Sequence, residues 1–152
     1  MKNRVSTYQI ERMNADLSET VLLFLEAVFH DEQHIPKDLI PIKSAQQEWW
    51  CIKKGSETMG TVAAWKEKGV WHWGRLAIDQ KVRGQGLGKK LVTASLTDLF
   101  QMGLEKITID ARDITVDLVL KLGGKTVGAK TNFYGHPITP MEIHKNNFIQ
   151  NL

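Results

Sequence analysis

The stretch Arg83-Gly84-Gln85-Gly86-Leu87-Gly88-Lys89 holds the most distinctive chemistry in this sequence. Glycines at 84, 86 and 88 remove the Cβ atoms that would keep a ligand off the backbone. Downstream, Leu87, Leu91, Val92, Ser95, Leu96, Leu99 and Phe100 recur at helical spacing as far as Gly103, a C-cap residue. A helix beginning at Leu87 presents unpaired N–H groups and the positive end of its dipole to the loop. Arg83 and Lys89 add charge at the same place, and a phosphorylated ligand follows. The plain alternative is a glycine-rich turn with no ligand.

Spacing narrows the ligand. A dinucleotide fingerprint, G-x-G-x-x-G, would need glycine where Lys89 stands. A Walker A loop needs four residues between its glycines and Ser or Thr after its lysine. Here three residues separate Gly84 from Gly88, and Lys90 follows Lys89. Both rivals fail.

Two other side chains near strands could do chemistry. His72 lies on the strand leading to the loop, and an imidazole with a pKa of about 6.5 suits proton transfer near neutrality. A period of two puts His72, Gly74 and Leu76 on one face if no bulge intervenes. The alternative is a strand histidine packed between Trp71 and Trp73. Cys51 could carry an acyl group, but its neighbours Trp49, Trp50 and Ile52 favour a buried strand position. As the sole cysteine it excludes an internal disulfide and fits a reducing cytosol, so a cytoplasmic protein is expected.

These residues need a frame. A strand is predicted at 7–13, then a helix carrying Leu17, Val21, Phe24, Leu25, Val28 and Phe29, capped by Asn14, Asp16 or Ser18. Pro36 and Pro41 mark a loop or a broken second helix. Strands follow at 48–53 and 58–66 around a Gly55-Ser56 turn, and at 70–78 before the loop. After the long helix come a strand at 106–110, a helix at 115–122 ending at Gly123-Gly124, and strands near 125–130 and 141–145. This is a mixed α/β order without a linker, read as one domain over residues 1–152. The net charge of +3 is scattered, and its densest group (Lys81, Arg83, Lys89, Lys90) brackets the loop. That suits a small phosphorylated ligand better than a nucleic acid. No apolar run is long enough to span a membrane, and Met1 to Val5 lacks a leader's apolar core. A monomer or homodimer is expected, and no metal is called for.

The loop resembles the acetyl-CoA signature of the GNAT superfamily, R/Q-x-x-G-x-G/A, met by Arg83, Gly86 and Gly88. The likeness extends upstream to Leu76-Ala77-Ile78 and, in element order, over nearly the whole chain. It implies a mixed, mostly antiparallel sheet splayed between strands 4 and 5 and flanked by helices. Pantetheine of acetyl-CoA would lie in the splay against the backbone of Leu76 and Ile78. The amides of Gly84, Gln85, Gly86, Leu87, Gly88 and Lys89 would hold the pyrophosphate. The implied activity is acetyl transfer to a primary amine of a small molecule or peptide, with a CoA-binding module of lost catalysis as the alternative. Val28-Phe29-His30-Asp31-Glu32-Gln33-His34-Ile35-Pro36 looks like the VF-x-x-EQ-x-x-P segment of a small bacterial subgroup, and Pro137 to Glu142 resembles its last strand.

The resemblance also suggests roles. Several members carry Glu or His six residues before the position of Ile78, which makes His72 the expected general base. Glu32 and His34 are secondary candidates, and a backbone amide near Ile78 could polarise the thioester. Many members have Tyr four residues before the glycine that ends the later helix, where this chain has Val119. The Asn often found eleven residues before that glycine is Arg112. Tyr134, in Phe133-Tyr134-Gly135-His136, is the nearest replacement acid, with aromatic packing at a strand end as its alternative. The five tryptophans are expected mainly in the core.

Overall fold

A computed structural model of the chain describes residues 7–14 and 16–149; the reading of Met1 to Val5 lies outside them. Strand β1 (Tyr8–Met13) is followed by helix α1 (Glu19–Leu25), which continues without a break as π-helical turns over Glu26–Glu32. Ser18 caps α1 by accepting from the Val21 amide at 3.4 Å. A 3₁₀ turn (Lys37–Leu39) follows Pro36. Then come β2 (Gln47–Lys54), β3 (Glu57–Glu67) and β4 (Val70–Ile78), all joined by antiparallel pairing. Helix α2 (Leu87–Gln101) leads to β5 (Lys106–Arg112), α3 (Asp113–Lys121), β6 (Lys125–Thr126), β7 (Thr131–Phe133) and β8 (His136–His144).

The strands form one sheet in the order β1-β2-β3-β4-β5-β8-β6, with β7 also on β8. Among the described residues only β4 and β5 run parallel, and only His72↔Thr108 and Trp73↔Ile109 pair between them. Beyond those pairs the two strands part, as the splayed sheet requires.

Helices cover both faces. Val21, Phe24, Leu25, Val28 and Phe29 pack with Trp49, Ala63 and Ala77 on one side. On the other, Leu91, Val92, Leu96 and Leu99 of α2 pack with Trp50, Val62, Trp73, Ile107 and Ile109. A strand buried on both faces reads as a continuous apolar run, which explains Trp49-Trp50-Cys51-Ile52. Cys51 is fully buried, and desolvation pushes its thiol pKa up, so it is inert packing and not an acyl carrier. Trp50 donates to Asp98 at 2.7 Å and Trp73 to Ser95 Oγ at 2.9 Å, satisfying both buried indoles.

The C-terminal third departs from expectation. The strand foreseen near 125–130 is only Lys125–Thr126, and the last strand begins at His136 instead of Met141. Pro137 and Pro140 blunt the sequence signal there, because proline lacks a ladder donor. Tyr134 and Gly135, with φ of +49° and +85°, form the two-residue turn between β7 and β8. Strand β5 runs two residues beyond the expected Asp110, so that Arg112 ends it.

Candidate active site

A β-bulge shapes β4. Ala63 pairs with Gly74 and Thr61 with Ala77, so Arg75 and Leu76 together oppose Val62. Arg75 takes a φ of +59°, and its carbonyl accepts from Thr61 Oγ1 at 3.0 Å. The extra residue reverses the facing of everything after it. Trp73 packs toward α2 and Ala77 toward α1, although alternation alone would put them on one side. His72 and Leu76 therefore face opposite sides of the sheet, and the shared face expected from simple alternation does not form. Leu76 has no register partner in either neighbouring strand.

At the end of β4, Gly84 and Gly86 take φ of +84° and +80°, conformations that favour glycine. A Cβ at either would meet no protein atom within 4 Å. Gly86 caps α2, and its carbonyl accepts from the Lys90 amide at 3.2 Å. Among the described residues, the amides of Gly86, Leu87, Gly88 and Lys89 have no acceptor within the protein. They form the donor array expected of an anion cradle. Arg83 Nε donates to the Ile78 carbonyl at 2.9 Å, and its Nη1 and Nη2 meet the two Glu32 oxygens at 2.8 and 2.9 Å. That bidentate pair holds the Glu32 carboxyl below the ordinary glutamate range, against a smaller opposing effect of burial. Gln85 turns outward, accepting from the Tyr8 hydroxyl at 3.2 Å.

A cleft of about 780 Å³ runs from this loop into the gap between β4 and β5. The loop end is lined by Gly84, Gly86, Gly88 and Lys89, and the β4 wall by Leu76, Ala77 and Ile78. Its far side is lined by Trp65, His72, Thr108, Asp110 and Arg112. The His72 ring stacks on Trp65, with centroids 5.8 Å apart and an interplanar angle of 17°. The structure thus brings His72 and the loop residues, Gln85 apart, to one cavity. It does not bring Tyr134 there: that side chain is 52% exposed on the β7–β8 turn, edge-on to Phe133, and outside the cleft walls. Val119 is fully buried, and α3 faces the cleft with Ile114, Thr115 and Leu118 instead.

The π-helical turns give the Glu32-Gln33 pair a job that its sequence position did not reveal. Widened winding sends Gln33 N–H to the Val28 carbonyl and Ile35 N–H to that of Phe29. Glu32 then reaches Arg83 on the loop, while Gln33 Oε1 accepts from Arg112 Nη2 at 2.7 Å. The Gln33 carbonyl accepts from His136 Nε2 at 2.9 Å. This segment straps the β4 side of the gap to the β5 side. Glu32 is occupied as the partner of Arg83, and His34 lies exposed and outside the cleft lining.

Sequence reasoning passed over Thr108, Asp110 and Arg112 as a set. The signal existed: they alternate with the buried Ile107, Ile109 and Ala111 once β5 is carried to residue 112.

An open, helix-flanked sheet split between two parallel strands, with a donor-rich helix start at the mouth of the split, defines a class of group-transfer domain. The sequence matches the family model described as an acetyltransferase (GNAT) domain over residues 13–145. The chain belongs to the GNAT acetyltransferase family. No curated protein matches it. Solved structures with the same fold include Escherichia coli ElaA (17% identity, TM-score 0.80, covering 91% of this chain and 100% of that one). An acyl-CoA N-acyltransferase from Pseudomonas aeruginosa matches at 15% identity and TM-score 0.73, covering 90% and 99%. A CoA-dependent acyl-homoserine lactone synthase, BjaI, solved with SAM and isopentyl-CoA, matches at 12% identity and TM-score 0.74, covering 91% and 83%.

Proposed function

We propose that the protein transfers an acetyl group from acetyl-CoA to the primary amine of a small molecule or peptide. The observation that carries this reading is the four unpaired amides of residues 86–89, at the head of a cleft whose far wall holds His72. Acetyl-CoA supplies an acyl group activated as a thioester: the amine nitrogen bonds its carbonyl carbon, the C–S bond breaks, and the electron pair leaves on sulfur, which takes a proton. The chain's own part is to bind, orient and deprotonate.

The 86–89 amides and the α2 dipole hold the pyrophosphate, Arg83 braces the loop through Glu32 and the Ile78 carbonyl, and Leu76 and Ile78 offer backbone to the pantetheine arm. His72 removes the ammonium proton, directly or through one water, on the face opposite α2. Neither tyrosine, Tyr8 nor Tyr134, lines the cleft, so the leaving thiolate takes its proton from solvent. A thiol pKa of about 8.5 leaves little for an acid to do near neutrality. That same lack of a cleft tyrosine favours the second reading, a CoA-binding module without catalysis. The scattered charge supports a small acceptor over a nucleic acid, and we place the protein in the cytoplasm as a monomer or homodimer. Among the described residues no helix is long and apolar enough to cross a membrane.

Thiol release from acetyl-CoA across an amine panel separates the two readings. Release above the hydrolysis blank with at least one amine is expected. CoA binding with no amine-dependent release would leave the module.

A further inference from the structure

We propose that the acceptor is an aminocarboxylate, a small zwitterion of the amino-acid type, and that Arg112 holds its carboxylate. The inference rests on the acyltransferase reading of this cleft and names the acceptor class.

Among the described residues, the other arginines have settled partners. Arg12 pairs with Glu48 and Asp98, and Arg83 with Glu32. Arg75 lies over Trp65 and donates to the carbonyls of Leu39 and Ile40 at 3.0 and 2.8 Å, tying the 3₁₀ turn to the bulge. Arg75 also lacks a carboxylate, but two carbonyls and the Trp65 face satisfy it; what sets Arg112 apart is a guanidinium with a single side-chain hydrogen bond. Arg112 is half-buried in the cleft wall, and among the described residues no carboxylate lies within 4.0 Å of its guanidinium. Its one side-chain partner is the neutral oxygen of Gln33. A guanidinium carries five donors, and burying its charge without an anion is costly. Burial indeed lowers its proton affinity. A substrate anion supplies the missing partner, and Gln33 holds the fork open toward the cleft.

Placement decides which substrate supplies it. Ile107, Ile109 and Ala111 point into the α2-side core, so Thr108, Asp110 and Arg112 point to the other face. His72 pairs with Thr108 and shares that face. The pyrophosphate loop belongs to α2, on the opposite side of the sheet. Arg112 therefore stands on the acceptor side, with the proposed base. Counting from the last β4–β5 pair, Trp73↔Ile109, it lies three residues on, about 10 Å, level with the bulge at Arg75-Leu76. Asp110, two residues back on the same face, offers a carboxylate to the ammonium before deprotonation. An anion on Arg112 and a cation near Asp110 match an amine and a carboxylate borne on one small molecule. A peptide N-terminus, whose carboxylate is remote, does not match.

The test compares L-alanine and other amino acids with their carboxamides. Thiol release from acetyl-CoA and calorimetric titration into CoA-saturated protein are both read. Bidentate charged hydrogen bonds predict a preference for the free acids of about 10- to 100-fold. Arg112→Gln should bring the ratio near unity with CoA affinity unchanged, and Arg112→Lys, which keeps charge but loses the fork, should restore part of it. A wild-type preference for carboxamides, a ratio unmoved by Arg112→Gln, or a loss of CoA affinity alone would overturn the proposal. Should no amine be acylated, the acyltransferase reading falls separately. The titration then decides: amino-acid binding that depends on Arg112 sustains the subsite, and its absence removes it.

Discussion

Gly86 and Gly88 lie two residues apart, and the structure predicts opposite outcomes on changing them. At Gly86, φ is +80° and an added Cβ meets nothing within 4 Å, so the cost of valine is expected to lie in backbone strain. For a branched residue in the left-handed region that strain is about 2 kcal/mol. Taking about 2–4 °C per kcal/mol for a chain of this size, the melting temperature should fall by about 4–8 °C. With a starting stability of about 5–15 kcal/mol, at least about 3 kcal/mol remains, and about 99% of the molecules stay folded. Any loss of CoA affinity is then local. Losing one charge-assisted amide bond costs about 1.5–3 kcal/mol, so binding should weaken at least about tenfold.

Gly88 sits in the first turn of α2 outside the left-handed region, where a Cβ would touch Ile78 Cγ1 at 3.8 Å, an ordinary contact. Gly88→Ala should stabilise the protein by about 0.5–1 kcal/mol through the unfolded chain. Its CoA affinity should stay within about threefold, because the family signature admits alanine there. Calorimetry with CoA and thermal melts measure both variants. Unchanged CoA affinity in folded Gly86→Val, or equal losses in the two, would refute the cradle.

Further outcomes follow from the same geometry. His72→Gln should keep CoA affinity while turnover falls about 10²–10⁴-fold; a loss under about fivefold would make His72 a packing residue on Trp65. Tyr134→Phe should leave turnover within about twofold, since its hydroxyl lies outside the cleft, and a tenfold drop would return it to the mechanism. Because the Glu32 carboxyl is held below its ordinary range, its ion pair with Arg83 stabilises the fold at neutral pH. That contribution should persist above about pH 4.3 and fade as pH falls further, through the folded-state value. Melts of wild type and Glu32→Gln across pH 3–8 should show a gap that closes only at the acid end; a gap independent of pH would exclude the pair as its source.

The glycine loop between β4 and α2 was legible in the sequence because it is local. Glycine spacing, a strand before and a helical period after are all contained within residues 70–103, and backbone physics needs no distant partner to read them. The β2 strand and the mixed α/β order were equally legible, from an apolar run and from the sequence of periodicities, while the splay was implied by the resemblance to the GNAT superfamily. Only tertiary structure decided which cleft residues share a face. Nothing within β4 announces that Arg75 and Leu76 together oppose Val62, yet that one extra residue turns His72 and Leu76 to opposite faces. Nor does the run Glu32-Gln33 reveal that π-helical winding sends adjacent side chains to Arg83 and Arg112, 51 and 79 residues away in sequence. Period-two alternation assumes a regular ladder and helical period assumes a regular helix. The cleft is built where each regularity is broken, because a bulge or a widened turn is fixed by the neighbours it packs against and not by its own residues.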